Sequence, residues 1–213
     1  QAAEQARRTA ADRARREAEE RARRERWNPP PRLTPRQAAD MQRDMLGGRE
    51  WTYAEREAIV EYTAGWAKEI NEGLRSGELR GTARDFAKAL MDAMRPSTRP
   101  TTLYRYVAPD AFGLDDAADA AGLVGKTFQD RGFVSTTVQP SGHTDRARQM
   151  DLASRRPIRM EIHAPEGTPM AYVDELSAHK GQYEAILAAG TKFRVVDVVQ
   201  DGPHTVIRVK VVP

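Results

Sequence analysis

The 213-residue chain contains no cysteine. Disulfide bonds, thiol nucleophiles and Cys-ligated zinc are excluded with it; the compartment stays open, because a secreted protein can also lack cysteine. No stretch approaches the ~20 consecutive apolar residues of a membrane helix. The first 26 residues show no signal-peptide pattern, since they have no apolar core. Histidine is scarce too. His143, His163, His179 and His204 stand alone, with no ligand-spaced pair, so they read as surface or loop residues and no metal site is expected. The Gly-x-Gly-x-x-Gly fingerprint of a Rossmann nucleotide site is missing, as is the Gly-x-Ser-x-Gly of a hydrolase elbow. Gly125-Lys126-Thr127 imitates the end of a phosphate loop, but position 120 is Ala where that motif needs Gly, so it reads as a turn entering a strand.

What remains is an ordinary soluble composition, 39% hydrophobic and 31% charged, long enough for one sizeable domain and an appendage. The net charge of +3 is concentrated at one end. Residues 1–26 carry nine Arg against five Glu and one Asp, whereas the rest holds 25 basic and 25 acidic residues. A basic face for gripping nucleic acid is therefore not visible in the body of the chain. The first 26 residues are rich in the helix formers Ala, Arg and Glu, with favourable i,i+4 pairs such as Glu17–Arg21, but have no Leu, Ile or Val seam. They read as a solvated helical spacer. Trp27-Asn28-Pro29-Pro30-Pro31 stops that helix, a short helical stretch follows from Pro35, and Gly47-Gly48 breaks it. The expected division is 1–48 as spacer and Pro-rich linker and 49–213 as the functional domain. The chain begins with Gln rather than Met, as expected of a piece of a longer chain or a processed product.

Within 49–213 the hydrophobic period changes halfway. Thr52-x-x-Glu55 is a capping box, and behind it Ile59, Tyr62, Thr63, Trp66, Ile70 and Leu74 form one helical stripe running to about Arg75. Thr82-x-x-Asp85 opens a second helix with Phe86, Leu90 and Met94 on one face. Strands are then expected over residues 103–107, 132–137, 158–163, 183–187, 192–199 and 205–212, with Asp201-Gly202-Pro203 turning the last pair into a hairpin. Helices first and antiparallel strands after define an α+β domain.

Three segments carry chemically pointed residues: Arg105 on an early strand, Ser135-Thr136-Thr137 behind Phe133, and Gln182-Tyr183-Glu184 where a loop meets an apolar strand. Period-two alternation puts Gln182 and Glu184 on one side of that strand. In this order the segments resemble the Arg–Ser–Glu class of ADP-ribosyltransferase toxins. The resemblance runs from about Trp51 to the C-terminus. It includes Tyr62-Thr63 followed by Ile70-Asn71 and Leu74-Arg75, similar to the family's first helix; Leu103-Tyr104-Arg105, similar to its arginine strand; and Gly132-Phe133-Val134-Ser135-Thr136-Thr137, similar to its Ser-Thr-Ser strand with Thr137 for the last Ser. Ser177 lies five residues before Gln182, and Gly190-Thr191-Lys192-Phe193 resembles the family's exit from the glutamate motif.

The resemblance implies an ADP-ribosyltransferase-like fold of N-terminal helices followed by two packed, mainly antiparallel sheets. It implies NAD as co-substrate and no metal. Glu184, Gln182 and Ser135 become the expected catalytic residues, and Arg105, Tyr104, Phe133, Ser135, Thr136 and Thr137 the NAD contacts. Gln182, His179 and Tyr183 become the acceptor contacts. Arg-modifying members carry Glu at the position of Gln182. Gln there goes with Asn or Gln acceptors in the clostridial Rho-modifying exoenzymes and with guanine in pierisin-like enzymes, so an Arg acceptor is disfavoured. In both groups an aromatic often stands three residues before the Gln; here His179 does. The implied activity is mono-ADP-ribosylation of a macromolecule, with Asn or Gln of a host protein favoured and guanine of nucleic acid next, by a monomeric domain joined to an upstream region and secreted or delivered into a target cell. NAD hydrolysis, or an inactive transferase fold serving as a binding module of a phage or secretion protein, are the alternative readings.

Overall fold

A computed structural model describes residues 27–143, 157–202 and 204–213, together with Gln5 and Arg13. The helical spacer expected over residues 1–26 otherwise lies outside the described residues. Among the described residues four α-helices precede the strands: α1 (Pro35–Leu46), α2 (Tyr53–Glu61), α3 (Ala67–Ser76) and α4 (Gly81–Ala93). Nine strands follow: β1 (Arg95–Pro96), β2 (Thr101–Val107), β3 (Thr127–Gln129), β4 (Val134–Thr137), β5 (Ile158–Ala164), β6 (Pro169–Tyr172), β7 (Glu184–Leu187), β8 (Lys192–Asp201) and β9 (His204–Val212). No helix among the described residues is long and apolar enough to cross a membrane.

The helix starts follow from their caps. At Thr34 and Thr52 the side-chain oxygen takes the N–H three residues on, while Gln37 and Glu55 reach back, satisfying donors that a helix end leaves unpaired. Glu55 does more. It is held by Arg49 through two 2.8 Å contacts and by Arg95 at 3.1 Å, which joins the α1–α2 loop to β1. The start expected at Thr82 differs: α4 begins at Gly81, and its N-cap Arg80 makes no side-chain cap.

The single long helix expected from Thr52 to Arg75 is broken. Gly65 leaves helical angles (φ 164°, ψ −20°), and the Ala67 N–H reaches back five residues to the Tyr62 carbonyl. This π-type segment, Tyr62–Trp66, turns Tyr62 and Thr63 inward.

The strands are hydrogen-bonded in the order β1-β6-β7-β4-β2-β5-β9-β8-β3, with only β5 and β9 parallel. The two sheets implied by the resemblance are thus one continuous order, and β2 and β4 meet at one pair, Tyr104–Thr137. On either side of that seam the two halves fold over each other. Val134, Ala185 and Leu187 from one half share a core with Leu103, Ile158, Ile162, Ile207 and Val209 from the other. The opposite face of β7, through Ile186, packs with Phe133, Ile59, Ile70 and Leu90 beneath the helices. β7 is buried along its length because it is covered on both faces.

The boundary expected near Gly47-Gly48 falls inside this packing. Leu33, Ala38, Met41 and Met45 belong to the larger core. The Pro30 carbonyl accepts from the Thr102 hydroxyl at 2.8 Å, and the Trp27 ring lies under the Arg208 guanidinium. Residues 27–46 are therefore packed as part of the same body as the sheet.

Candidate active site

The site forms where the π-type segment faces β4 and the start of β7. In the register Ser135 pairs with Ile186 and Thr137 with Glu184. Cross-strand partners share a face, so Ser135 and Glu184 both lie on the helix side, the face that carries Ile186. The Tyr62 phenol meets the Ser135 hydroxyl at 3.3 Å and accepts from Asn71 Nδ2 at 3.1 Å. Asn71 also clamps Phe133: its Oδ1 takes the Phe133 N–H at 2.8 Å and its Nδ2 donates to the Phe133 carbonyl at 3.2 Å. Gly132 makes this approach possible, because a Cβ there would lie 2.8 Å from Asn71 Oδ1. Arg105 Nη1 donates to the Ser135 carbonyl at 3.4 Å. Burial pushes the Tyr62 hydroxyl's pKa up; the Ser135 and Asn71 hydrogen bonds oppose this, and the charges of Arg105 and Glu184 both reach it.

Glu184 is 7% exposed and accepts from the Ser177 hydroxyl at 3.1 Å. Its carboxyl is raised above the usual range by burial, against the pull of the Ser177 and Ser135 hydroxyls and of His179. Ser177 in turn takes the His179 N–H at 3.1 Å, and Thr63 Oγ1 takes the Ala178 N–H at 2.9 Å. The loop before Glu184 is thereby tied to the π-type segment.

Two clefts open beside this network. One, of about 480 Å³, is lined by Tyr62, Asn71, Arg75, Arg105 and Ser135 among others. The other, of about 530 Å³, also holds Arg75 and Arg105 and is floored by Phe112, Phe128 and Phe193. Both are of ligand-binding size. Arg75, fixed by a two-point contact with Asp130 at 3.0 Å, stands beside Arg105 at their junction. A third hollow, between α1 and residues 172–176, lies apart from this chemistry.

The residues expected to gather here divide. Arg105, Ser135 and Glu184 come together. Phe133 is 1% exposed and meets Tyr62 edge-on, so it is core. Thr136 is fully buried and donates to the Ala185 carbonyl, on the face opposite Ser135. Thr137, also fully buried, donates to the Gln182 carbonyl at 2.7 Å. Tyr104 points away from Arg105 and lies beneath Arg32. Tyr183 packs against the larger core. His179 is exposed and Gln182 half-buried. Gln182 and Glu184 do not share a strand face. β7 begins only at Glu184, and Tyr183 between them has φ +55°. Tyr62, Asn71, Arg75 and Ser177 are the residues whose part at the site the sequence reading did not assign, although all four lie in the segments that carried the resemblance. Among the described residues no group of three His, Asp or Glu could hold a metal.

Residues 34–211 match the family model described as ADP-ribosyltransferase exoenzyme. The chain belongs to the ADP-ribosyltransferase exoenzyme family and is an NAD+ ADP-ribosyltransferase, with NAD as its co-substrate. Its fold is that of the C3 exoenzymes. The Clostridium limosum C3 exoenzyme superposes with a TM-score of 0.70 at 17% identity, over 88% of this chain and 98% of the other. An ADP-ribosyltransferase from Clostridium botulinum, solved in a triclinic form, gives 0.68 at 18%, over 85% and 98%. C3stau2 from S. aureus, solved with NAD, gives 0.66 at 20%, over 82% and 94%. No curated protein matches the chain in sequence.

Proposed function

We propose that the enzyme is of the Arg–Ser–Glu class with a Gln-x-Glu acceptor motif, and that it moves ADP-ribose from NAD to an Asn or Gln side chain of a host protein. The observation that carries this reading is the pairing of a buried, Ser177-held carboxylate, Glu184, with the uncharged amide of Gln182 at the mouth of the same loop. Arg105 is assigned to the NAD phosphates, where a planar guanidinium fork suits phosphate oxygens, and Arg75 stands beside it to share that charge. Ser135 orders the site through Tyr62. Glu184 accepts from the 2′-hydroxyl of the nicotinamide ribose.

The bond between ribose C1′ and nicotinamide N1 breaks with its electron pair going to nicotinamide, which leaves neutral. The ribose carries the resulting positive charge. A fixed carboxylate beside it stabilises that charge more than the ground state, and only such a difference raises the rate. The acceptor amide nitrogen then bonds to C1′ and releases a proton to solvent. Gln182 offers one donor and one acceptor to that amide and no charge for a guanidinium. A protein acceptor is favoured over guanine because the chain beyond residue 26 balances 25 basic against 25 acidic residues, too even for tight phosphate binding. His179, exposed on the loop, is assigned to acceptor contact. Residues 1–26 act as a charged spacer to an upstream region, and the protein works as a secreted or delivered toxin.

The test is labelling of a host-cell extract with adenylate-labelled NAD, followed by separate protease and nuclease digestion. Label removed by protease supports the reading. Label removed by nuclease moves the acceptor to nucleic acid, and nicotinamide release without labelled macromolecule makes the enzyme an NAD glycohydrolase.

A further inference from the structure

We infer that Asp174 is a positioning residue that sets Gln182 against Glu184, and so governs how the ADP-ribosyl group divides between a macromolecular acceptor and water. This inference rests on the transfer reading above. Tyr183 is, among the described residues, the one non-glycine with a left-handed backbone (φ +55°). That conformation is sterically costly for a residue with a Cβ and persists only where its surroundings enforce it. It stands between the two residues on which capture of the acceptor is proposed to depend. Were Tyr183 extended, β7 would run back through Gln182 and the two side chains would fall on one face, two residues apart.

The Asp174 carboxylate enforces the turn. Its Oδ1 takes the Tyr183 N–H at 2.6 Å and the Gly181 N–H at 3.1 Å, and its Oδ2 takes the Gly181 N–H at 3.2 Å. Both donors belong to residues with left-handed φ, Gly181 at +85°. A carboxylate accepting N–H groups makes stronger bonds than a neutral acceptor, so one side chain closes the ends of the loop. The remaining ties to Gln182 hold its backbone only: its carbonyl accepts from Thr137, and its N–H reaches the His179 carbonyl at 3.3 Å.

The hydrogen bonds that anchor Glu184 do not involve Asp174, whose charge adds only the last and smallest of the effects on the Glu184 carboxyl. Its carboxylate is held by Ser177, its carbonyl accepts the Val173 N–H at 2.9 Å, and it is paired with Thr137 across β4. Cleavage of NAD depends on Glu184, whereas directing the ribosyl carbon onto an acceptor depends on Gln182. Water needs no such placement. Loosening Gln182 alone therefore diverts the reaction from transfer to hydrolysis.

The experiment compares wild type, Asp174→Ala and Asp174→Asn. Each is given adenylate-labelled NAD with a eukaryotic cell extract, and nicotinamide release is measured in parallel without extract. The ratio of label transferred to nicotinamide released cancels any loss of folded protein. In Asp174→Ala the ratio falls on the order of ten-fold or more, since small misplacements of a reacting pair cost at least that, while release without extract stays close to wild type. Asp174→Asn, whose Oδ1 still accepts, keeps the wild-type ratio. Amide hydrogen exchange at Gly181 and Tyr183 accelerates in the Ala variant and not in the Asn variant. An unmoved ratio in Asp174→Ala, or unchanged exchange at those amides, overturns the inference while leaving the transfer reading intact. A wild-type enzyme that releases nicotinamide but labels nothing overturns the transfer reading itself, and this inference with it.

Discussion

At the scale of single residues, Glu184 explains why such a site is costly to build. A carboxylate 7% exposed has lost most of its water, and its replacement is the Ser177 and Ser135 hydroxyls with the positive influence of His179. These do not fully compensate, so the carboxyl stays above its ordinary value of 4.5. Its contribution to stability is then fully present below about pH 4.5 and is lost as pH rises through the raised value. Two outcomes follow. Glu184→Gln melts higher than wild type at pH 7, with the difference closing near pH 4, although its activity is gone. The acid limb of kcat/KM for nicotinamide release lies above the usual carboxylate range and moves further up in Ser177→Ala, because that hydroxyl favours the charged form. A melting difference of the opposite sign would mean that the charged Glu184 carboxylate stabilises the fold. The gathering of Arg105, Ser135 and Glu184 in one place was legible in the sequence because each sits in a short motif. Asn71 was not, since its task is to hold Phe133, 62 positions away, and nothing local marks a partner that distant. Thr136 shared the motif with Ser135 but strand alternation turns it to the opposite face, and Thr137, on the face of Ser135, is fully buried with its hydroxyl spent on the Gln182 carbonyl.

Elements place these residues, and their junctions are ionic as well as apolar. Glu55 caps α2 and holds both Arg49 and Arg95. The Arg49 hydrogen bonds bring its carboxyl down to about 2, ahead of the opposing effect of burial. Stability from this group is present above about pH 4.5 and is lost as pH falls towards 2. Glu55→Gln should cost about 1–2 kcal/mol at pH 7, less than a fully buried pair because Arg49 is partly exposed. Urea unfolding at pH 7 and at pH 2.5 checks this, with the cost shrinking at the lower pH. The helix starts at Thr34 and Thr52 were readable from their capping pairs. The break at Tyr62–Trp66 was hidden, because the apolar stripe of α2 and α3 keeps its three- and four-residue steps through it. The left turn at Tyr183 was hidden for a related reason. Alternation in Gln182-Tyr183-Glu184 describes a strand, and only the Asp174 carboxylate, nine residues earlier, overrides it.

On the scale of the whole molecule, the α+β class and the order of helices before strands could be read from the change of hydrophobic period. The sheet order could not, because the single Tyr104–Thr137 junction joining its two halves is a tertiary event. The division at residue 48 is where sequence and structure differ most. Proline and paired glycine suggested a linker, yet Leu33, Met41 and Met45 fill the core under the sheet. Each such side chain contributes about 1.5–3 kcal/mol on burial, against a net stability of about 5–15 kcal/mol for a domain. A chain of residues 49–213 therefore fails to unfold cooperatively, while residues 27–213 show a single thermal transition. Differential scanning calorimetry of the two distinguishes them, and equal melting temperatures contradict the packing described.

The proposed chemistry rests on one carboxylate, Glu184, so the most direct measurement is nicotinamide release from NAD by purified wild type and Glu184→Ala, with circular dichroism showing both folded. Glu184→Ala loses on the order of 10²–10³-fold in rate, the size of one removed transition-state contact. Release by Glu184→Ala at the wild-type rate would rule out Glu184 as the catalytic carboxylate.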